Sequence, residues 1–127
     1  MATNDKAGVV VNWDDIPVED VRKGVQRCGF GTSNVLLVMN ELEPGMDLSP
    51  HTHEFDQIAY IVGGRAVYHI DGVGHEVGPG SIMLIPAGAE HYIDPVGEEK
   101  VLNLDIFAPA RQDLIHLLDW MPVAGEA

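Results

Sequence analysis

Glycine, proline, asparagine and aspartate interrupt this chain so regularly that only strand-length apolar runs remain between Val21 and Phe107. The breaks fall at Gly29-Phe30-Gly31, Glu43-Pro44-Gly45, Gly63-Gly64, Asp71-Gly72, Gly78-Pro79-Gly80, Pro86-Ala87-Gly88 and Asp94-Pro95. Each supplies a residue that suits a turn, through a permissive φ, a fixed φ or a side chain that bonds its own backbone. The intervening runs are rich in Val, Ile, Leu and Tyr and predict strands at about 21–28, 34–42, 57–62, 65–70, 73–77, 81–85, 90–93 and 101–107. Short strands at this spacing imply an all-β sandwich or barrel.

The ends add little to that plan. Residues 1–8 are expected to be flexible, Val9–Val11 to form a short strand ending at Asn12, and Asp14–Asp20 to make a turn or one helical turn around Pro17. A helix is expected at about 112–121, where Leu114, Ile115, Leu117, Leu118 and Met121 recur at spacings of three and four between Pro109 and Pro122. Its expected role is to cap an open end or side of the sandwich. The 127 residues contain no internal linker or repeat and are expected to form a single domain.

Charge narrows the partners. Twenty acidic residues against seven basic ones leave a formal charge of -13, which repels phosphate backbones and anionic lipid. Nucleic acid and membrane are therefore not expected, and the chain shows neither a membrane-length apolar run nor a basic, signal-like start, so a cytoplasmic location is expected. A small anionic ligand held by one or two buried arginines is compatible with the same charge. The lone Cys28 rules out a disulfide scaffold and suits a small buried residue.

His51-Thr52-His53 is the sharpest local feature. On an extended chain both imidazoles point to one face, and Gln57, four residues on, keeps their parity. His91 follows the Pro86-Ala87-Gly88 turn at the start of another predicted strand. Imidazoles and an amide oxygen suit transition ions, although a His-x-His pair alone also fits two polar residues at a strand edge. The last predicted strand has two faces. Leu102, Leu104 and Ile106 form one; Val101, Asn103, Asp105 and Phe107 form the other, with Arg111 just beyond. The polar face either meets solvent or lines an interior, where Asp105 becomes a carboxylate near the imidazoles and Arg111 a guanidinium at the mouth able to clamp a carboxylate.

The spaced glycines, prolines and histidines, Gly45-x5-His51-x-His53-x3-Gln57-x6-Gly64 and Gly80-x5-Pro86-x-Gly88-x2-His91, resemble the two motifs of the cupin superfamily. The resemblance implies a double-stranded β-helix (a jelly-roll barrel) with a short C-terminal helix, holding one divalent transition ion per chain (zinc, nickel, iron or manganese) on His51, His53, Gln57 and His91. Gln57 stands where the commonest pattern has Glu, and Ser81 where Asp often follows the glycine. A neutral Gln leaves the ion with no protein anion among its ligands, which favours a Lewis-acid role.

His51-Thr-His53-Glu-Phe-Asp-Gln57-Ile-Ala-Tyr60 and Asp105-Ile-Phe107-Ala-Pro-Ala-Arg111 further resemble the small KdgF-type pectin-degradation cupins. That resemblance implies the same His, His, Gln, His shell, with Asp105, Phe107 and Arg111 around a small anionic substrate. The implied activity is metal-dependent isomerisation: ring opening and ketonisation of small carboxylated sugars such as 4,5-unsaturated uronates. In it Asp105 is the general acid/base, Arg111 orients the substrate carboxylate, and Phe107 shapes the pocket and excludes water. Alternatives are a metal-dependent dioxygenase, a lyase acting on a small anionic substrate, and a non-catalytic binding cupin. Tyr60 is read as a packing residue, Arg27 and Arg65 as surface charges with a lumen-facing placement as the alternative, and His69, His75 and His116 as structural or exposed. Asp56 is read as lying outside the metal shell. A homodimer is expected, with Val9–Val11 suited to strand exchange.

Overall fold

The computed structural model describes residues 8–122. The segment expected to be flexible lies, apart from Gly8, outside them. Nine antiparallel strands run in chain order: β1 (Glu19–Arg22), β2 (Val25–Gly31), β3 (Leu36–Leu42), β4 (Gln57–Gly63), β5 (Arg65–Ile70), β6 (Val73–Val77), β7 (Ile82–Ile85), β8 (His91–Val96) and β9 (Val101–Phe107). They form a six-stranded sheet in the order β1-β2-β3-β9-β4-β7 and a three-stranded sheet in the order β6-β5-β8. This is the all-β arrangement expected from the turn spacing, in the jelly-roll-like form that the cupin resemblance implies. Alternation along β4 (buried Gln57, Ala59 and Ile61; exposed Ile58, Tyr60 and Val62) shows which face turns inward. Val25, Leu42, Ala59, Ile61, Ala66, Tyr68, Ile85, Ile93 and Val101 fill the space between the sheets.

Four predicted elements differ. The single strand expected at 21–28 is a hairpin, β1 and β2, folded at Lys23-Gly24. Gly24 has φ +77, and a Cβ there would lie 2.8 Å from the Met46 Cβ, so both backbone shape and space demand glycine. The strand expected at 90–93 runs on through Pro95, opposite Ala66. β8 is an edge strand, where proline's missing N–H breaks no ladder. Val9–Val11, expected to be a strand, pairs with nothing among the described residues, and Val10 is 95% exposed. The helical turn expected near Pro17 lies earlier, at Trp13–Asp15, where the Asn12 side chain caps the Asp14 N–H at 2.9 Å.

The C-terminal helix is present, but as a 3-10 helix over Gln112–Leu118. Its two buried residues, Leu114 and Leu117, are three apart, the repeat that stacks on one face of a three-residue turn. They pack on Leu36, Val38 and Phe107 and close one end of the sandwich. On the outer side of the six-stranded sheet, Trp13, Phe30 and Trp120 gather around Ile16, Cys28 and Met39. Cys28 is buried, as read from the sequence.

Glu19 ties this helix to the β1–β2 hairpin, accepting from Arg27 Nε at 2.7 Å and pairing with His116 Nε2 at 2.9 Å. The Arg27 hydrogen bond, opposed by partial burial and aided by His116, holds the Glu19 carboxyl below its usual pKa. A depressed folded-state pKa adds stability above the unfolded value, about 4.3 for Glu, and loses it as pH falls through the folded one. Glu19→Gln is therefore expected to melt earlier than the wild type at pH 7, with the gap closing below about pH 4. Thermal melts followed by circular dichroism across that range measure it, and a gap independent of pH would contradict the ion-pair origin.

Candidate metal centre

His51 and His91 face each other across an isolated antiparallel bridge, the His51 N–H donating to the His91 carbonyl at 3.2 Å and the reverse at 2.9 Å. Residues directly opposite in such a bridge send side chains to one side. His53 joins them two residues on, and the Gly88 N–H fastens its carbonyl at 2.8 Å. Asp56 accepts from the Ala87 N–H at 2.9 Å, which makes it a clasp between the two motif loops, apart from the imidazoles. The ring centroids of His51 lie 4.7 Å from His53 and 4.3 Å from His91, and the remaining pair is 4.9 Å apart. One nitrogen from each ring falls within 4.8 Å of the others, a candidate metal-binding triad.

The hydrogen bonds select the free nitrogens. His51 Nδ1 meets the Ser49 carbonyl at 2.5 Å and His91 Nδ1 the Ala89 carbonyl at 3.0 Å. A carbonyl only accepts, so in each ring Nδ1 carries the proton and Nε2 keeps its lone pair. Burial, with the charges of Arg111 and the other two histidines, pushes His53 down to about 4. Burial also lowers His91, against the pull of its bond to Ala89. Both rings are thus neutral near pH 7.

Gln57, only 3% exposed, donates from Nε2 to Asp105 Oδ1 at 2.8 Å, which leaves Oε1 free. His53 Nε2, His91 Nε2 and Gln57 Oε1 are buried with no hydrogen-bond partner. Orphaned buried acceptors are costly, and a cation satisfies all of them. The donor set therefore fits a divalent transition ion held by His51, His53 and His91, with Gln57 as the candidate fourth ligand.

These groups line a cavity of about 240 Å³ together with Asp105, Arg111, Asn40, Asn103, Tyr68, Arg22 and Arg27. Asp105 receives three amide N–H groups, from Gln57 and Asn103 on Oδ1, each at 2.8 Å, and from Asn40 on Oδ2 at 2.9 Å. Burial outweighs these donors and pushes its pKa up to about 6. The polar face of β9 thus lines the interior. The Arg111 guanidinium lies over Phe107 at 5.0 Å and Phe55 at 5.3 Å. Phe55 in turn stacks on His53 at 4.9 Å. Asp113 accepts from Arg111 Nε at 3.1 Å and Nη2 at 2.6 Å. An incoming carboxylate must displace the exposed Asp113 or take the remaining Nη1 side.

All seven residues singled out from the sequence therefore gather at one end of the sandwich. Sequence reasoning missed Phe55, Asn40 and Tyr68, and misread Arg27, which lies on the cavity wall with its side chain only 24% exposed. The signal for Asn40 was its parity with the buried Val38 and Leu42 on β3. Nothing local marked Arg27, whose placement depends on its pairing with Asn40. Arg65 and His75 are exposed, as expected.

The family model described as a cupin domain matches residues 38–107, more than half of the chain. The chain is a cupin. Protein SchB of Streptomyces halstedii is 27% identical to this cupin over 117 residues, covering 85% of this chain and 84% of SchB. The structure of KdgF from Halomonas sp. superimposes with a TM-score of 0.76 at 26% identity, covering 85% of this chain and 99% of that one. The polyketide cyclase RemF from Streptomyces resistomycificus gives 0.69 at 25% identity, with 83% and 81% covered. Among the described residues, no helix of this cupin is long and apolar enough to cross a membrane.

Proposed function

We propose that this cupin is a metal-dependent isomerase that promotes ring opening and ketonisation of small carboxylated sugars such as 4,5-unsaturated uronates. The observation that carries the reading is a carboxylate, Asp105, bonded to Gln57 in a cavity walled by amides and guanidiniums and shared with three imidazoles. At about 240 Å³ the cavity is smaller than the roughly 300–1,000 Å³ of drug-sized ligand sites, so it suits one sugar ring. The likeness to KdgF points the same way.

A bound divalent ion would supply Lewis-acid stabilisation of negative charge on a substrate oxygen. The chain's own groups do the rest. Arg111 orients the carboxylate, while Phe55 and Phe107 hold the guanidinium flat and exclude water on that side. Asp105 moves a proton: ring opening frees an enol, the enol O–H is lost, and a proton is returned to the neighbouring carbon to give the ketone. Atoms and electrons balance without a redox partner.

The test is turnover of a panel of unsaturated monouronates, followed as loss of conjugated-enol absorbance with and without chelator. Chelator-sensitive acceleration supports the proposal. An unchanged uncatalysed rate with metal-loaded protein refutes it.

The expected assembly is a homodimer through the outer face of β4 and β7. Ile58, Tyr60, Val62, Ile82 and Leu84 are between 37% and 73% exposed there, and the register sets Ile58 against Leu84 and Tyr60 against Ile82. A contiguous apolar patch next to an open strand edge is what a self-associating sheet presents. Leu84→Glu is expected to shift the species to a monomer in light scattering after size exclusion. A wild-type monomer would dismiss the interface.

A further inference from the structure

We infer that the cavity contains a second anion-binding point, formed by Arg27 and Arg22, so that among small carboxylated sugars it binds those with a second anionic group more tightly than those with one. The inference rests on the sugar-acid reading of this cavity and names its substrate class more closely. In a chain of charge -13 with four arginines, three of them, Arg22, Arg27 and Arg111, line this cavity. Desolvation opposes placing guanidiniums inside a sandwich, so their gathering in one cavity calls for an anion there.

The strand register sets the spacing. Arg27 lies opposite Asn40, and Asn40 opposite Asn103, in one row across β2, β3 and β9. Phe107, beneath the Arg111 guanidinium, sits four residues farther along β9 than Asn103. Four residues of strand span about 13 Å, so Arg27 and Phe107 belong to separate levels of the sheet. Separate levels suit two anionic groups better than one.

Both guanidiniums are held in a way that leaves their terminal nitrogens free. Glu19 takes Arg27 at Nε (2.7 Å), and the Asp47 carbonyl takes Arg22 at Nε (2.7 Å). Among the described residues, neither guanidinium makes another hydrogen bond. Burial holds Arg22 below its usual pKa; the Asp47 charge opposes this, and the like charge of Arg27 reinforces it. On the Arg27 level, Asn103 is 3% exposed, and its Oδ1 is buried without a partner. An orphaned acceptor on the wall calls for a ligand donor, which a sugar hydroxyl provides.

The test is calorimetric binding of gluconate, glucarate and phosphogluconate to the full chain, both zinc-loaded and after chelation. Gluconate carries one anionic group; the other two add a terminal carboxylate or phosphate to the same hydroxylated backbone. The wild type is expected to bind at least one two-anion probe about ten-fold more tightly than gluconate, with or without zinc. Whichever is tighter identifies the second group. Arg27→Gln combined with Arg22→Gln should erase that preference while changing gluconate affinity by less than about two-fold, and Arg27→Lys should keep part of it. Arg22→Gln alone, at the sheet edge, gives a partial loss if the double variant does not fold. Equal wild-type affinity for all three probes overturns the second anion point and leaves the sugar-acid reading standing. Equal weakening of all three in a folded double variant overturns it as well. No binding of any probe overturns both.

Discussion

His91→Ala is expected to weaken metal binding by at least about a hundred-fold, because even losing an outer partner of a ligand costs 10–100-fold. His91 is 2% exposed, its Nδ1 is engaged by Ala89, and its Nε2 has no other use in the fold. Removing it leaves two imidazoles and an amide, too few for a closed site. Equilibrium dialysis against zinc with mass-spectrometric metal counting reads the affinity directly. Thermal melts provide a second measure, since a ligand that binds only the folded state raises its melting temperature with concentration. Zinc should raise the wild-type midpoint and leave the variant unmoved. The metal-free variant should melt below the metal-free wild type, because the substitution empties a buried volume and frees the Ala89 carbonyl, so the readout is the zinc-induced shift within each protein. A variant that still binds zinc at wild-type affinity would remove His91 from the centre.

Asp105→Asn is expected to lower kcat by about 10²–10⁴, the range of general acid–base contributions, with KM nearly unchanged. The substitution keeps shape and removes the proton-carrying oxygen. Its structural cost is readable from the hydrogen bonds. Asp105 accepts from three amides, whereas an Asn side chain has one acceptor oxygen and turns an N–H₂ toward a donor. Asn103 can relieve the clash by rotating its amide, since its Oδ1 has no partner at present. Gln57 can do so only by turning Nε2 toward the imidazoles, which weakens the metal. Metal content must therefore be measured alongside turnover. A variant with full metal and wild-type kcat would refute the proton-transfer role.

The seven site residues first singled out share one property: each belongs to a short motif whose spacing has meaning on its own. His51, His53 and Gln57 share parity, His91 follows a turn, and Asp105, Phe107 and Arg111 lie on one strand and its exit. Such local order survives in one dimension. Arg27 does not share it. Nothing around Val25-Gln26-Arg27-Cys28 distinguishes an inward arginine from a surface one, and its role arises only when β2 pairs with β3 in the register that sets Arg27 beside Asn40. The hairpin at Gly24 escaped notice for a related reason. The glycine is required by the approach of Met46, a residue far along the chain.

The turn residues by themselves determined that this protein is a stack of short strands, because glycine and proline constrain φ wherever they stand. The histidine spacing by itself determined where a metal would be sought. The tertiary structure decided what surrounds that metal. Pairing β3 with β9 brought Asn40 and Asn103 to the Asp105 carboxylate, and burial then raised its pKa. Packing the terminal helix against Phe107 placed Arg111 over the aromatic rings. These are contacts between residues distant in sequence, and their strength depends on burial, which no single segment of the chain carries.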